Sequence, residues 1–111
     1  MKIAEVASEL ELRILVEGDS ERNVTQVITG DLLSFIMGTA PPGCLWLTVQ
    51  NHLNVAAVAV LKEIPLIILT TGRKPSPELE EKCRIEDISL GYTAKTTFSV
   101  ISELARMGLN G

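Results

Sequence analysis

The sequence predicts an α/β fold, a small three-layer sandwich with a mainly parallel sheet of about five strands flanked by helices. Three observations carry that expectation. Apolar strand-like runs alternate with helical patterns from the N-terminus to the C-terminus. The links between them are short and rich in Gly, Pro, Asn and Asp, which suits right-handed parallel crossovers and a doubly wound sheet. The run Leu66-Ile67-Ile68-Leu69-Thr70, set off by Pro65 and Gly72, is continuously apolar, as in a central strand covered on both faces. With 111 residues, 46% hydrophobic and 22% charged, the chain suits one domain over residues 1–111, with no linker or internal repeat dividing it.

In chain order, Ile3, Val6, Ala7 and Leu10 recur at helical spacing, giving a short amphipathic helix over 2–10 that must dock to be stable and reads as a lid on the sheet. Leu12, Ile14 and Val16 alternate as in a strand, closed by the turn cluster Glu17-Gly18-Asp19-Ser20. Val24 to Thr29 is a second β-rich run, and Gly30-Asp31 leads into the helical pattern Leu32, Leu33, Phe35, Ile36. The stretch Gly38 to Gly43, with two prolines, breaks that helix. Cys44 to Val49 reads as a buried strand, Leu53 to Lys62 as a helix packed on more than one side, and Leu66 to Thr70 as the central strand. Ser76 before Pro77 is a capped helix start, with Glu78, Glu80 and Glu81 near the positive end of the dipole. Ile88 to Tyr92 is a short last strand, and Thr96 or Thr97 opens a final helix that Gly108 stops.

Composition narrows the partners. Net charge is −4 and the ten Lys and Arg residues are scattered, so neither nucleic acid nor a membrane surface is an expected partner. Cys44 and Cys83 have no CxxC spacing and are expected as reduced buried thiols. One histidine and two cysteines do not make a four-ligand zinc set, and no metal or cofactor is expected. The longest apolar runs fall short of the roughly 20 residues that cross a bilayer, and the N-terminus is charged within its first five residues, at Lys2 and Glu5. A soluble, unprocessed, cytoplasmic protein is the expectation.

In an open α/β sheet ligands bind outside the carboxyl ends of the strands. The candidate ligand-binding residues are therefore Gly30 and Asp31, Gln50 and His52, Thr71, Gly72, Arg73 and Lys74, and Thr96 and Thr97, with Lys95 beside them. Helix starts with free N–H groups and the cations at 73, 74 and 95 suit a phosphate or carboxylate. Each feature also has a plain structural role: Asp31 and Thr97 as helix caps, Gly72 as a left-handed turn, Arg73-Lys74 as a solvated pair, His52 as a structural group, Trp46 as core. No GxxxxGK[ST], GxGxxG or GxSxG occurs and no nucleophile neighbours His52 in sequence, so no catalytic residue is assigned.

At Thr29-Gly30-Asp31-Leu32-Leu33-Ser34, Leu45-Trp46-Leu47-Thr48-Val49-Gln50-Asn51-His52 and Leu69-Thr70-Thr71-Gly72-Arg73-Lys74-Pro75 the chain resembles a stand-alone DRTGG domain, over roughly Val24 to Leu109. DRTGG domains are regulatory-type α/β modules found beside phosphotransacetylase domains and between CBS domains of some pyrophosphatases, and they resemble the N-terminal domain of HPr kinase. The resemblance implies a non-catalytic module, usually a homodimer. Asp31, Thr71 and Gly72 match the motif, whereas Leu32 and Arg73 stand where it has arginine and its second glycine. Losing the arginine beside Asp31 weakens an inherited anion site, and Arg73 returns positive charge from a neighbouring loop. Kinase chemistry belongs to a separate phosphate-loop domain whose motif is missing here.

The sequence therefore points first to a homodimeric regulatory or sensing module for a small anionic metabolite or nucleotide. An interaction domain that docks a separately encoded enzyme is the alternative, and a small enzyme using His52 is the third reading.

Overall fold

The computed structural model describes residues 1–111. Five strands, β1 (Arg13–Val16), β2 (Val27–Thr29), β3 (Leu45–Thr48), β4 (Leu66–Leu69) and β5 (Ser89–Tyr92), form one sheet in the order β1-β5-β4-β3-β2. Strands β2 to β5 are mutually parallel, and β1 lies antiparallel on the outer edge of β5. Five helices flank the sheet: α1 (Ile3–Glu9), α2 (Leu33–Thr39), α3 (Leu53–Leu61), α4 (Pro77–Ile85) and α5 (Thr97–Arg106). The expected three-layer α/β architecture is the one observed.

The two faces of the sheet have separate cores, because side chains alternate along each strand. Trp46, Ile67, Leu69 and Leu90 meet Ile36, Val55, Ala59, Leu79 and Cys83 from α2, α3 and α4. Leu45, Leu47, Leu66 and Ile68 meet Ile3, Val6, Val100 and Leu104 from α1 and α5. The double covering thus has an unexpected origin. All three parallel crossovers lie on one face, and the terminal helices cover the other. The first helix is accordingly part of the fold: Ile3, Val6 and Leu10 are fully or almost fully buried, and the Glu5 carboxylate accepts the Lys2 N–H at 3.1 Å.

Several boundaries differ from the expectations, most by one residue. Strand β2 keeps only three of the six expected residues, since Val24 turns away to pair with the N-terminus (Val24 N–H to Met1 O, 2.8 Å) and buries its side chain beneath α1. Helix α2 passes through Gly38 to Thr39 before Pro41-Pro42 end it. The C-terminal Thr70 of the Leu66–Thr70 run falls outside β4. The turn after β1 depends on Gly18, at φ 57°. A Cβ there would stand 2.8 Å from the Ser89 backbone nitrogen, so only glycine fits. Ser76 Oγ accepts the Leu79 N–H at 3.1 Å and Pro77 takes the first helical position, as the sequence predicts for α4.

Candidate functional site

Because β2 to β5 run in the same direction, their carboxyl ends share one rim of the sheet, and every expected binding residue lies on that rim. Two local constructions occupy it. The first joins the ends of β2 and β3. Asp31 Oδ1 accepts from Thr48 Oγ1 at 2.9 Å and from the Val49 N–H at 2.8 Å, and Thr48 Oγ1 in turn accepts the Gln50 N–H at 3.1 Å. Gly30 is held from below, its carbonyl accepting the Trp46 indole N–H at 3.0 Å.

Asp31 is therefore no helix cap. Leu32 holds that position in α2, with no side-chain bond, and the Asp31 carboxylate reaches across to β3 instead. Thr48 is the residue that sequence reasoning missed. It is the one hydroxyl in an otherwise apolar, fully buried strand, so it must find a polar partner, and that requirement was the available signal. Asp31→Ala is expected to cost about 1–3 kcal/mol by stranding the Thr48 hydroxyl and the Val49 N–H, measured by urea unfolding.

The second construction joins β4 and β5. Their following loops part to opposite faces, one to α4 and the other to α5, which makes the divergent point where α/β sheets open a crevice. Here the crevice is laced shut. Thr70 and Thr97 hydroxyls lie 2.6 Å apart, the Thr71 N–H donates to Lys95 O and the Gly72 N–H to Thr93 O, both at 2.8 Å. Thr96, and not Thr97, caps α5 by accepting the Ser99 N–H at 3.1 Å. Lys95 is spoken for, its Nζ bonding both Glu103 oxygens at 3.1 Å and Leu10 O at 3.3 Å, so it ties α5 to the end of α1 and adds no open positive charge.

Thr71 at φ 61° and Gly72 at φ 77° are successive left-handed residues, and the first is β-branched, a conformation that costs roughly 1–3 kcal/mol and concentrates at functional loops. They present Arg73 and Lys74, both exposed and neither in an ion pair. Asn51 anchors the same loop, its Nδ2 donating to Lys74 O at 3.0 Å and its carbonyl accepting the Ser76 N–H. His52 stands exposed at the start of α3 without a side-chain bond to a carboxylate or nucleophile. No group of His, Cys, Asp and Glu is placed to hold a metal ion, and no helix is long and apolar enough to cross a membrane.

The rim is a shelf and not a pit. Cavities lie to its sides: about 520 Å³ between α1 and β1, about 510 Å³ between α1 and Met107, about 410 Å³ between Leu53 and α4, and about 250 Å³ between β2 and α5.

No protein-family model matches the sequence, and no curated protein matches it. Among solved structures the fold is similar to the CBS and DRTGG domains of the regulatory region of Clostridium perfringens pyrophosphatase, complexed with its activator diadenosine tetraphosphate. The TM-score is 0.72 at 14% identity, over 89% of this chain and 44% of that one. At that identity the likeness is one of fold, and this chain spans less than half the length of the regulatory region.

Proposed function

We propose that the chain is a non-catalytic regulatory or sensing module, homodimeric, that takes a small anionic metabolite or nucleotide on the carboxyl rim of its sheet. The observation that carries this reading is the strained Thr71-Gly72 turn presenting two uncompensated cations, Arg73 and Lys74, beside the uncapped start of α3. Guanidinium and ammonium groups with no carboxylate partner suit phosphate, and the neighbouring helix start adds favourable N–H dipoles. The neighbour in fold is a regulatory region that binds a dinucleoside polyphosphate, which supports the same class of ligand. A shelf suits an extended polyanion better than a compact apolar molecule.

The test is thermal denaturation of the full chain against adenine nucleotides, diadenosine polyphosphates, acyl phosphates and sugar phosphates. A ligand at a hundredfold excess over its Kd stabilises by about 2.7 kcal/mol. For a domain of this size that raises Tm by roughly 10–20 °C. Arg73→Ala is the diagnostic variant, since the exposed side chain supports no internal contact: it should leave the ligand-free Tm in place and abolish the shift. A flat panel would favour the second reading, a docking domain for a separately encoded enzyme, which the exposed Leu32, Phe35, Leu61, Ile85 and Phe98 also support.

A further inference from the structure

The resemblance to DRTGG domains begins near Val24, and the carboxyl rim uses nothing before that residue. The chain ahead of it builds a closed ring. Helix α1 ends by the rim, where Lys95 Nζ bonds Leu10 O, then Glu11 and Leu12 turn the chain and β1 returns along the edge of the sheet. Residues 17–22 complete the circuit: the Ile3 N–H donates to Arg22 O and the Ala4 N–H to Ser20 O, both at 3.0 Å. The ring surrounds the hollow of about 520 Å³ between α1 and β1, whose lining comes from this segment alone.

Small residues open that space. On this face β5 offers only Ser89 and Gly91, because Leu90 and Tyr92 turn to the other core, and α1 brings Ala4 and Ala7 to the wall. Ile14 is in register with Gly91 and lies over it, since a Cβ at Gly91 would stand 3.1 Å from Ile14 Cδ1. Ile3, Ile14 and Leu15 complete an apolar wall. Glu17 stands at the opening, its backbone fixed because Ser89 Oγ donates to its carbonyl. Its carboxylate takes the Ser20 hydroxyl at 3.4 Å and is in no ion pair. The nearby cations are directed elsewhere: Lys2 pairs with Glu21 at 2.9 Å, and Arg13 is in register with Tyr92, which packs on the opposite face. Across residues 3–22, Glu5, Glu9, Glu11, Glu17, Asp19 and Glu21 outweigh Arg13 and Arg22, so the field at the opening is negative.

We propose that this hollow binds a small organic cation, an ammonium group carried on an aliphatic or aromatic body. The Glu17 carboxylate holds the ammonium group, with the Ser20 hydroxyl beside it, and the apolar wall takes the body. Ligand pockets are hollows of roughly 300–1,000 Å³, mostly apolar with a few convergent polar groups, and this one has that make-up. Because the chain closes both ends of the ring, the space suits a compact molecule and not an extended polypeptide. The site differs from the cationic rim in place and in sign. Glu17 follows β1 and sits beside the amino end of β5, so neither proposal depends on the other.

Amide chemical-shift mapping of the full chain with phenethylamine tests it. A ligand of this size in a fitting pocket has a Kd of about 10 mM or tighter. Saturable shifts should centre on Ala4, Ala7, Ile14, Leu15 and Glu17. Hydrocinnamate keeps the body and reverses the charge, whereas methylamine keeps the charge and lacks the body; each should bind roughly tenfold or more weakly. Glu17→Gln should weaken phenethylamine binding by roughly tenfold or more, the effect of losing a hydrogen bond to a charged group. Ala7→Leu should do the same by filling the space. Glu9→Gln, an equal loss of charge on α1 but outside the lining, should leave the affinity unchanged, and the same spectra show that each variant is folded. No saturable shift, shifts centred elsewhere, equal binding of either control compound, affinity kept by folded Glu17→Gln or Ala7→Leu, or an equal loss in Glu9→Gln would each overturn the proposal.

Discussion

Trp46→Ala is expected to lower the unfolding free energy by about 3–5 kcal/mol, a large part of the 5–15 kcal/mol that a domain has in total. Trp46 lies at the middle of β3, fully buried, and is the largest side chain of the core beneath α2, α3 and α4. Its removal opens a cavity and also leaves the Gly30 carbonyl without its indole donor, a further desolvation cost. Trp46→Phe keeps most of the volume and isolates the second effect, with an expected loss of about 1–3 kcal/mol. Urea unfolding followed by circular dichroism measures both, since the alanine variant has no tryptophan left to report. A midpoint shift worth under about 1 kcal/mol for Trp46→Ala would mean that the helices collapse into the space, against the rigid packing seen in folded cores. The consequence reaches the rim. Gly30 precedes Asp31, so losing the indole bond should loosen the β2–β3 end of the site before the β4–β5 end.

Much of this was legible in the residues, for reasons that differ along the chain. Leu66–Leu69 and Leu45–Thr48 are strands that bury every side chain, and continuous apolar runs between Gly and Pro say so directly. Ser76-Pro77 announced its helix through cap chemistry that acts within three residues. What could not be read was long-range. That β1 pairs antiparallel with β5 depends on residues separated by most of the chain, and no local pattern encodes it. The shortened β2 has the same cause, because Val24 is claimed by the N-terminus. The rim residues were found from the rule about strand ends, yet their roles were partly exchanged. Asp31 and Thr97 read as helix caps, but the first bridges to Thr48 and the second faces Thr70 across the crevice. Lys95 read as open positive charge, but Glu103 lies two helical turns along α5 and neutralises it, a pairing visible only once the loop direction is known. The resemblance to DRTGG domains anticipated the fold shared with the pyrophosphatase regulatory region, and the departures at Leu32 and Arg73 fall where the structure shows exposed apolar surface and a free cation.

Raising the pH above 9 is expected to destabilise the chain more steeply than its surface charges alone would. The two thiols are the reason. Burial pushes Cys83 up to about 12 from 9.0. Burial also pushes Cys44 up to about 11, against smaller opposing effects of a backbone hydrogen bond and the Lys62 charge. Between pH 9 and 11 the unfolded chain loses both thiol protons while the folded chain keeps them, so the unfolded state binds fewer protons and unfolding becomes easier as pH rises. Below pH 9 both states are protonated and the thiols contribute no slope. Within the window each thiol is worth roughly 1.4 kcal/mol per pH unit. Urea unfolding at pH 8, 9, 10 and 11 should therefore show a break near pH 9, and the Cys44→Ala, Cys83→Ala double variant, compared on slope and not on absolute stability, should lack it. A wild type and variant with parallel slopes would show that both thiols ionise inside the folded core, which would require water to reach them. The same burial predicts that neither cysteine reacts with a thiol reagent at pH 8 until the chain is unfolded. Cys83 packs α4 onto the sheet, and α4 begins at the loop that carries Arg73 and Lys74. Across that window the folded chain keeps the Cys83 thiol protonated, so the helix behind the cationic turn stays docked for as long as the chain is folded.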